Sequence, residues 1–202
     1  MKPSKPYVLG LTGGIACGKS HVSRELRALG VPVMDADALS HGLTAPGGAA
    51  LPAIRAAFGD GVFDGDVLNR RALGSLVFGD DAKRAQLEGI LHPLILQAML
   101  AETAASAAPI VAWDVPLLFE TGLDRQCDEV WCVYITEGEQ LRRVMHRDHL
   151  SQQAAQARID SQMSMEEKKR RAQHRISTMG ARAATRHHVR GLLKDLQRRL
   201  ER

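Results

Sequence analysis

The stretch that decides the fold is Gly13-Gly14-Ile15-Ala16-Cys17-Gly18-Lys19-Ser20. It fits the pattern G-x-x-x-x-G-K-[ST], and it lies between an apolar, strand-like run from Tyr7 to Leu11 and an amphipathic helical segment from Lys19 to Leu29. In this setting glycines let the backbone curl so that its N–H groups point inward, and the helix N-terminus adds partial positive charge. The sequence therefore predicts a phosphate-binding loop for a nucleoside triphosphate.

The loop also supplies candidate residues for the nucleotide and its metal. Lys19 can reach the β- and γ-phosphates, which makes it a candidate catalytic residue, and the Ser20 hydroxyl is a candidate ligand of Mg²⁺. The residues that we expect to bind the nucleotide are Gly14, Ala16, Cys17, Gly18, Lys19, Ser20 and His21.

Composition places the chain among ordinary globular proteins. Its 202 residues are 45% hydrophobic and 25% charged, which predicts one domain, or one core with an inserted subdomain. No 18-residue window is apolar throughout, and the start, Met1–Pro6, lacks the long apolar segment of a signal peptide. Three cysteines (Cys17, Cys127 and Cys132) form neither a disulfide framework nor a C-x-x-C metal site. These features predict a soluble, cytoplasmic protein with no membrane partner.

The net charge is +4, and its basic excess is concentrated after the last predicted strand. The residues concerned are Arg142, Arg143, Arg147, Arg158, Lys168, Lys169, Arg170, Arg171, Arg175, Arg182, Arg186 and Arg190. One interpretation is a nucleic-acid patch; the other is an arginine-rich lid over phosphates together with a solvated helix face. No RRM, KH or zinc-finger signature accompanies the charge, which favours the lid and predicts no nucleic-acid partner.

Three further segments are typical of buried parallel strands: Val31 to Met34, Ile110 to Val115 and Val130 to Ile135. Their alternation with helical stretches predicts an α/β fold, a doubly wound parallel sheet of about five strands with helices on both faces. Ligands in such sheets gather at the carboxyl ends of the strands. We therefore expect one cleft to be shared by the residues that follow Leu11, Met34 and Val115.

Between Asp37 and Ile110 the apolar residues recur at helical spacing, as in Leu51-Ile54-Phe58. We predict an all-helical insertion of about 70 residues, too long for a simple crossover, that covers the second substrate. The stretch from Glu139 to Arg175 is typical of two charged helices that form a mobile lid. The predicted parts of this single P-loop domain are 7–37 and 108–138 as nucleotide-binding core, 38–107 as insertion, 139–175 as lid, and 176–202 as core return and C-terminal helix.

Acidic residues follow two of the strands. Asp35 and Asp37 are one residue apart, and on an extended stretch they point the same way. One can hold the metal's water shell while the other accepts a proton from an attacking hydroxyl; the alternative is an N-cap for the next helix. Asp114 ends the third strand and fits a magnesium contact or a hydrogen bond to the substrate.

Arg143 and Arg147 lie four residues apart, hence on one face of a predicted helix. Guanidinium groups suit phosphate oxygens, and a transferred phosphoryl group gains most from such donors in the transition state. A solvated basic face explains the same spacing. His92 lies within the predicted insertion and has at most a substrate-contact role.

Taken in order, the motifs resemble the dephospho-CoA kinase family. The resemblance covers roughly Val8 to Ala172. It rests on the loop, on Asp35-Ala36-Asp37 and on these further motifs: Asn69-Arg70-Arg71-Ala72-Leu73, Leu91-His92-Pro93-Leu94-Ile95, Val115-Pro116-Leu117-Leu118-Phe119-Glu120, Gln140-Leu141-Arg142-Arg143, Arg147-Asp148, Gln162 and Glu166-Glu167-Lys168.

The resemblance implies a P-loop kinase fold and transfer of the γ-phosphate of ATP, with Mg²⁺, to the 3′-hydroxyl of dephospho-CoA. By it, the catalytic residues are Lys19, Asp37 and Arg143, and Arg143 and Arg147 join the ATP site. The metal contacts are Ser20, Asp35 and Asp114. The implied substrate side comprises Thr12, Asp35, Asp37, Asn69, Arg70, His92, Pro93, Pro116 and Leu117. We expect a monomer or a weak homo-oligomer.

The chain departs from the family pattern at four places. Ala16-Cys17 stands where Gly-Ser is usual, and His21 stands where Thr is usual. In the last strand Arg175 replaces an apolar residue, and Thr178 replaces an asparagine near adenine. A pKa of Cys17 lowered by the helix N-terminus would make its thiol prone to oxidation.

Alternative functions are another small-molecule P-loop kinase, acting on a nucleoside monophosphate or a sugar-like alcohol, and a nucleotide-gated nucleic-acid-binding protein.

Overall fold

The computed structural model describes residues 5–202; residues 1–4, on which the signal-peptide prediction partly rests, lie outside the described residues. Within that range the chain forms seven strands and nine α-helices. The strands are β1 (Tyr7–Gly13), β2 (Val33–Asp35), β3 (Phe63–Asp64), β4 (Val67–Leu68), β5 (Ile110–Asp114), β6 (Glu129–Tyr134) and β7 (His174–Ser177). The helices are α1 (Lys19–Ala28), α2 (Ala36–Leu43), α3 (Leu51–Phe58), α4 (Arg70–Val77), α5 (Asp81–Ala105), α6 (Glu137–Asp148), α7 (Gln152–Asp160), α8 (Met165–Arg171) and α9 (Arg182–Leu200).

The main sheet has five strands in the order β2-β5-β1-β6-β7. Its central strand, β1, pairs in parallel with β5 on one side and with β6 on the other. β5 is buried along its whole length, as the near-continuous apolar run Ile110–Val115 predicts for a strand covered on both faces. The predicted α/β class, with a parallel sheet flanked by helices, is confirmed.

The register of the sheet determines which side chains meet at its carboxyl edge. Leu11 of β1 is the partner of Asp114 in β5, and Val115 N donates to Leu11 O at 3.0 Å. On the other side Gly13 is the partner of Val133. The end of β1, from which the glycine-rich loop leaves, therefore lies beside the carboxylate that ends β5.

The residues divide into two compact units, one of residues up to Met34 together with Ser106–Arg202, and one of Asp35–Ala105. The second unit has its own apolar core, formed by Ala50, Ile54, Val62, Phe63, Leu68 and Leu73.

The prediction of an all-helical insertion is wrong at one place, because β3 and β4 form a short antiparallel hairpin. Phe63 and Leu68 are directly paired and both buried, and Gly65 turns the chain with φ 63°. Two strands of two residues are too short to give a periodic signal.

Helix α5 is a single helix of 25 residues. Pro93 lies inside it with its ring exposed, and Ile95 and Met99 on either side of the next turn are buried. Their burial outweighs the backbone hydrogen bond that a proline inside a helix cannot form. No helix among residues 5–202 is both long and apolar enough to cross a membrane.

Three helices, not the two predicted, occupy the stretch from β6 to β7. α6 ends at His149, which adopts a left-handed conformation with φ 53°. Ser151 then caps α7 by accepting from Ala154 N, and Ser164 caps α8 by accepting from Glu167 N. The two serines satisfy free N–H groups of a new helix, so each starts one.

The last strand, β7, forms in parallel with β6 although Arg175 stands at an apolar position of the family pattern. Ile176 is fully buried and supplies the apolar contact of the strand, while Arg175 stays exposed and its Nε donates to Lys169 O at 2.8 Å. Because successive side chains of a strand point to opposite faces of the sheet, Ile176 can pack in the core while Arg175 faces solvent.

The close approach of β1 to β6 requires glycine at position 13. A Cβ added to Gly13 would lie 2.5 Å from the backbone oxygen of Val133, which cannot rotate away. We expect Gly13→Ala to destabilise the chain by about 1–3 kcal/mol. Gly74→Ala in α4 is the control, because an added Cβ meets nothing within 4 Å there and should stabilise the helix by up to about 1 kcal/mol. Urea unfolding checks both; a Gly13→Ala midpoint equal to that of the parent chain would contradict the packing argument.

Candidate active site

The glycine-rich loop runs from the end of β1 at Gly13 to Lys19, the first residue of α1. Gly18 caps α1 in a left-handed conformation with φ 82°, and Ala16 is also left-handed with φ 60°. Left-handed residues in a tight turn direct successive N–H groups into a concavity that binds anions, and the helix N-terminus adds partial positive charge. The backbone is therefore shaped for phosphate.

Lys19 forms an ion pair with Asp114 at the edge of the sheet. The second carboxylate oxygen of Asp114 accepts from the hydroxyl of Ser23, one turn further along α1. The Asp114 side chain is only 4% exposed and that of Lys19 16%, so the two charges neutralise each other in a site with little water. The sequence predicted that both residues face phosphate and metal; the contribution of Ser23 carried no recognisable signal.

An open cavity of about 520 Å³ lies between the loop and helix α6. Its lining residues are Ala16, Gly18, Ser20, Arg142, Arg143, His146 and Arg147. Five of these seven are residues assigned to the nucleotide from sequence. Arg142 and His146 were not assigned, although their spacing of four residues on one helix places them on a common face.

The arginines of α6 are held by neighbouring acids. Arg143 Nε donates to Glu139 at 2.6 Å, and its NH2 lies 3.4 Å from Thr178 O. Hydrogen bonds from Arg142 and Arg143 lower the pKa of Glu139 to about 2. Arg147 forms two hydrogen bonds of 2.8 and 2.9 Å with the carboxylate of Asp148. The guanidinium groups are thus oriented at the cavity wall by carboxylates of their own helix.

The loop interior is fastened by the segment after β7. Thr178 Oγ1 donates to Cys17 O at 2.5 Å, and a Cβ added to Gly18 would lie 3.2 Å from the same oxygen of Thr178. His21, just beyond the loop, has Nε2 3.4 Å from Arg182 O. The residue that replaces asparagine in the family pattern therefore binds the loop itself.

Cys17 is 1% exposed, and burial raises the pKa of its thiol to about 11. The oxidation-prone thiolate that the helix N-terminus suggested does not form, because loss of hydration outweighs the helix dipole.

Thr12 and Lys168 converge on one carbonyl beyond the end of β5. Thr12 Oγ1 donates to Pro116 O at 3.0 Å, and Lys168 Nζ donates to the same oxygen at 2.9 Å. Lys168 is fully buried and pairs with Glu120 at 2.8 Å. Its assignment to a solvated or phosphate-facing basic surface is therefore wrong. Leu117, which follows Pro116 and is also a predicted substrate contact, is 37% exposed.

The two acids after Met34 do not share one extended stretch. Asp35 ends β2 and caps α2, its Oδ1 accepting from Asp37 N at 3.0 Å and from Ala38 N at 3.1 Å. Asp37 lies in the first turn of that helix, so the argument from strand alternation is wrong and the capping alternative is correct for Asp35. The expectation that Asp35 and Asp37 share a cleft with the phosphate loop stays a prediction.

The remaining residues of the predicted substrate side belong to the second compact unit. Asn69 caps α4 by accepting from Ala72 N at 2.9 Å, and its amide donates to Asp64 at 3.0 Å. Arg70 donates to His41 O at 3.1 Å. His92 and Pro93 lie within α5. These residues therefore have structural roles or positions within the second unit, and their contact with substrate stays a prediction.

All three thiols have pKa values far above neutrality because of burial: about 11 for Cys17 and about 12 for both Cys127 and Cys132. The thiolate is the reactive form, so we expect iodoacetamide at pH 8 to leave all three unmodified in the folded chain. The same treatment in urea should alkylate all three, which mass spectrometry of peptides distinguishes. Rapid alkylation of Cys17 in native buffer would contradict the buried loop.

Comparison with known proteins places this geometry in a family. The sequence pattern described as dephospho-CoA kinase matches residues 7–182. The chain is 46% identical over 177 residues to the dephospho-CoA kinase of Geobacter sulfurreducens, covering 86% of this chain and 90% of the relative.

Solved structures agree with this family assignment. The Thermus thermophilus protein TT1252 superposes with a TM-score of 0.82 at 34% identity, over 95% of this chain and 98% of that one. Dephospho-CoA kinase from Campylobacter jejuni gives 0.65 at 25% identity, over 94% and 97%. The chain belongs to the dephospho-CoA kinase family.

Proposed function

We propose that this chain transfers the γ-phosphoryl group of ATP to the 3′-hydroxyl of dephospho-CoA, giving coenzyme A and ADP. The observation that carries the proposal is the buried pair of Lys19 and Asp114 beneath an anion-binding loop, in a chain of this family. The alternative small-molecule kinases share the loop, but the family match over residues 7–182 does not favour them.

Lys19 is the group that meets the transferring phosphate. On arrival of the triphosphate its ammonium exchanges Asp114 for β- and γ-phosphate oxygens, a short movement because the loop begins beside the end of β5. The charge then stabilises the oxygens on which negative charge develops in the transition state. The N–H groups at the start of α1 hold the rest of the triphosphate.

Mg²⁺ fits the donors that remain. Within the described part of the chain no three His, Cys, Asp or Glu side chains are grouped to hold a metal. That suits Mg²⁺, which usually keeps several waters and takes one or two protein oxygens plus phosphates. The Ser20 hydroxyl and the Asp114 carboxylate, freed from Lys19, are such oxygens, with Asp35 as a further candidate. The ion would neutralise charge on the β- and γ-phosphates.

Arg143 and Arg147 stabilise the transferred phosphoryl group from the cavity wall. Their present partners, Glu139 and Asp148, orient the guanidinium groups without satisfying every N–H donor of the planar fork. The ATP site then comprises the loop residues, His21 and both arginines.

On the acceptor side we propose Asp37 as the base that receives the proton of the attacking hydroxyl. Asp35 holds the start of α2 and thereby the position of Asp37. The dephospho-CoA contacts that we propose are Thr12, Asn69, Arg70, His92, Pro93, Pro116 and Leu117. The stretch 139–175 acts as a lid, and the chain works as a monomer or weak homo-oligomer without nucleic acid.

A substrate panel tests the proposal. With ATP and Mg²⁺ we expect phosphorylation of dephospho-CoA with a kcat/KM at least about 10³-fold above that for shikimate, gluconate or a nucleoside monophosphate. Lys19→Ala should abolish this turnover, whereas Lys194→Ala, at an exposed position of α9, should leave it unchanged. A coupled ADP assay measures all of these. Absence of dephospho-CoA turnover in the parent chain would overturn the proposed function.

Asp37→Asn isolates the role of the base. Because an amide cannot accept the hydroxyl proton, we expect kcat to fall about 10²–10⁴-fold while KM for ATP stays within about threefold. Asp66→Asn, at an exposed position of the same unit, is the matched control. A parallel loss of ATP affinity would instead assign Asp37 to the metal.

A further inference from the structure

Two glutamine side chains hold a single residue of the phosphate loop from opposite sides of its backbone. Gln140 Nε2 donates to Ile15 O at 3.0 Å, and Ile15 N donates to Gln162 Oε1 at 3.1 Å. A carbonyl only accepts and an amide N–H only donates, so each side-chain amide has its orientation fixed by its partner. We call Gln140, Ile15 and Gln162 the loop clamp.

The clamp is built into close packing. Gln140 is only 3% exposed. A Cβ added to Gly14 would lie 2.6 Å from Gln140 Nε2 and 2.7 Å from Met165 Cε. The Gln140 amide therefore lies directly against Gly14, and a hydrogen bond lost here would leave a buried polar group without its partner.

The Gln162 side of the clamp is anchored separately. The next residue, Met163, donates its N–H to Glu120 at 2.9 Å, and Glu120 pairs with the fully buried Lys168. Lys168 in turn binds Pro116 O, just beyond the end of β5. The turn between α7 and α8 is thus attached to the sheet, so Gln162 presents its oxygen to the loop from a fixed support.

The other end of the clamp lies on the helix that carries the arginines. Gln140 is in the first turn of α6, three residues before Arg143 and seven before Arg147, so the three side chains lie along one face. The hydrogen bond to Ile15 O consequently sets how far the guanidinium groups lie from the loop. With its N–H bound to Gln162, Ile15 contributes shape to the loop and not a phosphate contact.

We propose that Gln140 and Gln162 are positioning residues for phosphoryl transfer: the loop clamp fixes the phosphate loop and the arginine-bearing helix α6 at one separation. This inference rests on the proposed function, because it assigns the clamp to the transfer step. A displacement of about 1 Å between reacting groups is enough to lower a rate about 10²-fold. Loss of either hydrogen bond of the clamp is therefore expected to slow phosphoryl transfer.

Substitution by glutamate distinguishes the donor role of Gln140 from the acceptor role of Gln162. Gln162→Glu keeps an oxygen that accepts from Ile15 N, so we expect kcat within about threefold of the parent chain. Gln140→Glu removes the donor and places a carboxylate against Ile15 O, so kcat should fall about 10- to 100-fold, with KM for dephospho-CoA within about threefold. Both variants add one negative charge, and equal losses in kcat would overturn the proposal. Gln153→Leu, at an exposed position of α7, is the control.

Amide hydrogen exchange of Ile15, followed by NMR in the full chain, tests the contact without reference to turnover. We expect Gln162→Leu to accelerate exchange at Ile15 at least about tenfold and Gln162→Glu to leave it protected. Accelerated exchange with unchanged kcat in Gln162→Leu would overturn the positioning role. Unchanged exchange would overturn the clamp itself. Failure of the parent chain to phosphorylate dephospho-CoA would overturn the proposed function, while the exchange result would still stand.

Discussion

The ion pair between Lys19 and Asp114 is the interaction on which the organisation of this site depends. The register that pairs Leu11 with Asp114 brings the end of β5 to the start of the loop, and Ser23 holds the carboxylate from the following helix. Removing one partner of such a buried pair costs about 3–5 kcal/mol, because the other charge is left uncompensated. The end of β5 therefore holds the Lys19 ammonium next to the place where a triphosphate is expected.

The rest of the loop is shaped by residues that are far away in sequence. Thr178, from the segment after the last strand, binds Cys17 O, while Gln140 of α6 and Gln162 of the turn before α8 bind Ile15. Buried polar networks of this kind are stabilising only when every member has its partner. The loop is thus fixed from β7 on one side and from α6 and the turn before α8 on the other.

Local pattern was enough to predict the parts of the fold that local chemistry determines. The loop motif, the buried strands and the parallel sheet follow from glycine spacing and from short runs of valine and isoleucine. The candidate residues of the loop and Asp114 follow from position at strand ends. Two features did not follow. The hairpin at Phe63–Leu68 is too short to be periodic, and the capping serines Ser151 and Ser164 divide the stretch after β6 into three helices where two were predicted.

The partners of the site were harder to predict because they are tertiary contacts. Gln140 and Gln162 belong to motifs shared with the family, but nothing in the sequence shows that their side chains bind Ile15, and Lys168 appears as one charge among many. Asp37 shows the converse limit: its residue type makes it a candidate base, but the expected extended geometry is absent because Asp35 caps α2 and Asp37 lies in the first turn of that helix. Sequence identifies which groups can do the chemistry, whereas the hydrogen bonds that orient them depend on the folded chain.

The most direct test of this account is a crystal structure with Mg²⁺ and a non-hydrolysable ATP analogue. The account predicts the triphosphate against the loop from Gly13 to Ser20, with Lys19 Nζ on phosphate oxygens and no longer on Asp114. A nucleotide bound elsewhere, or one bound at the loop while the Lys19–Asp114 pair stays intact, would contradict it.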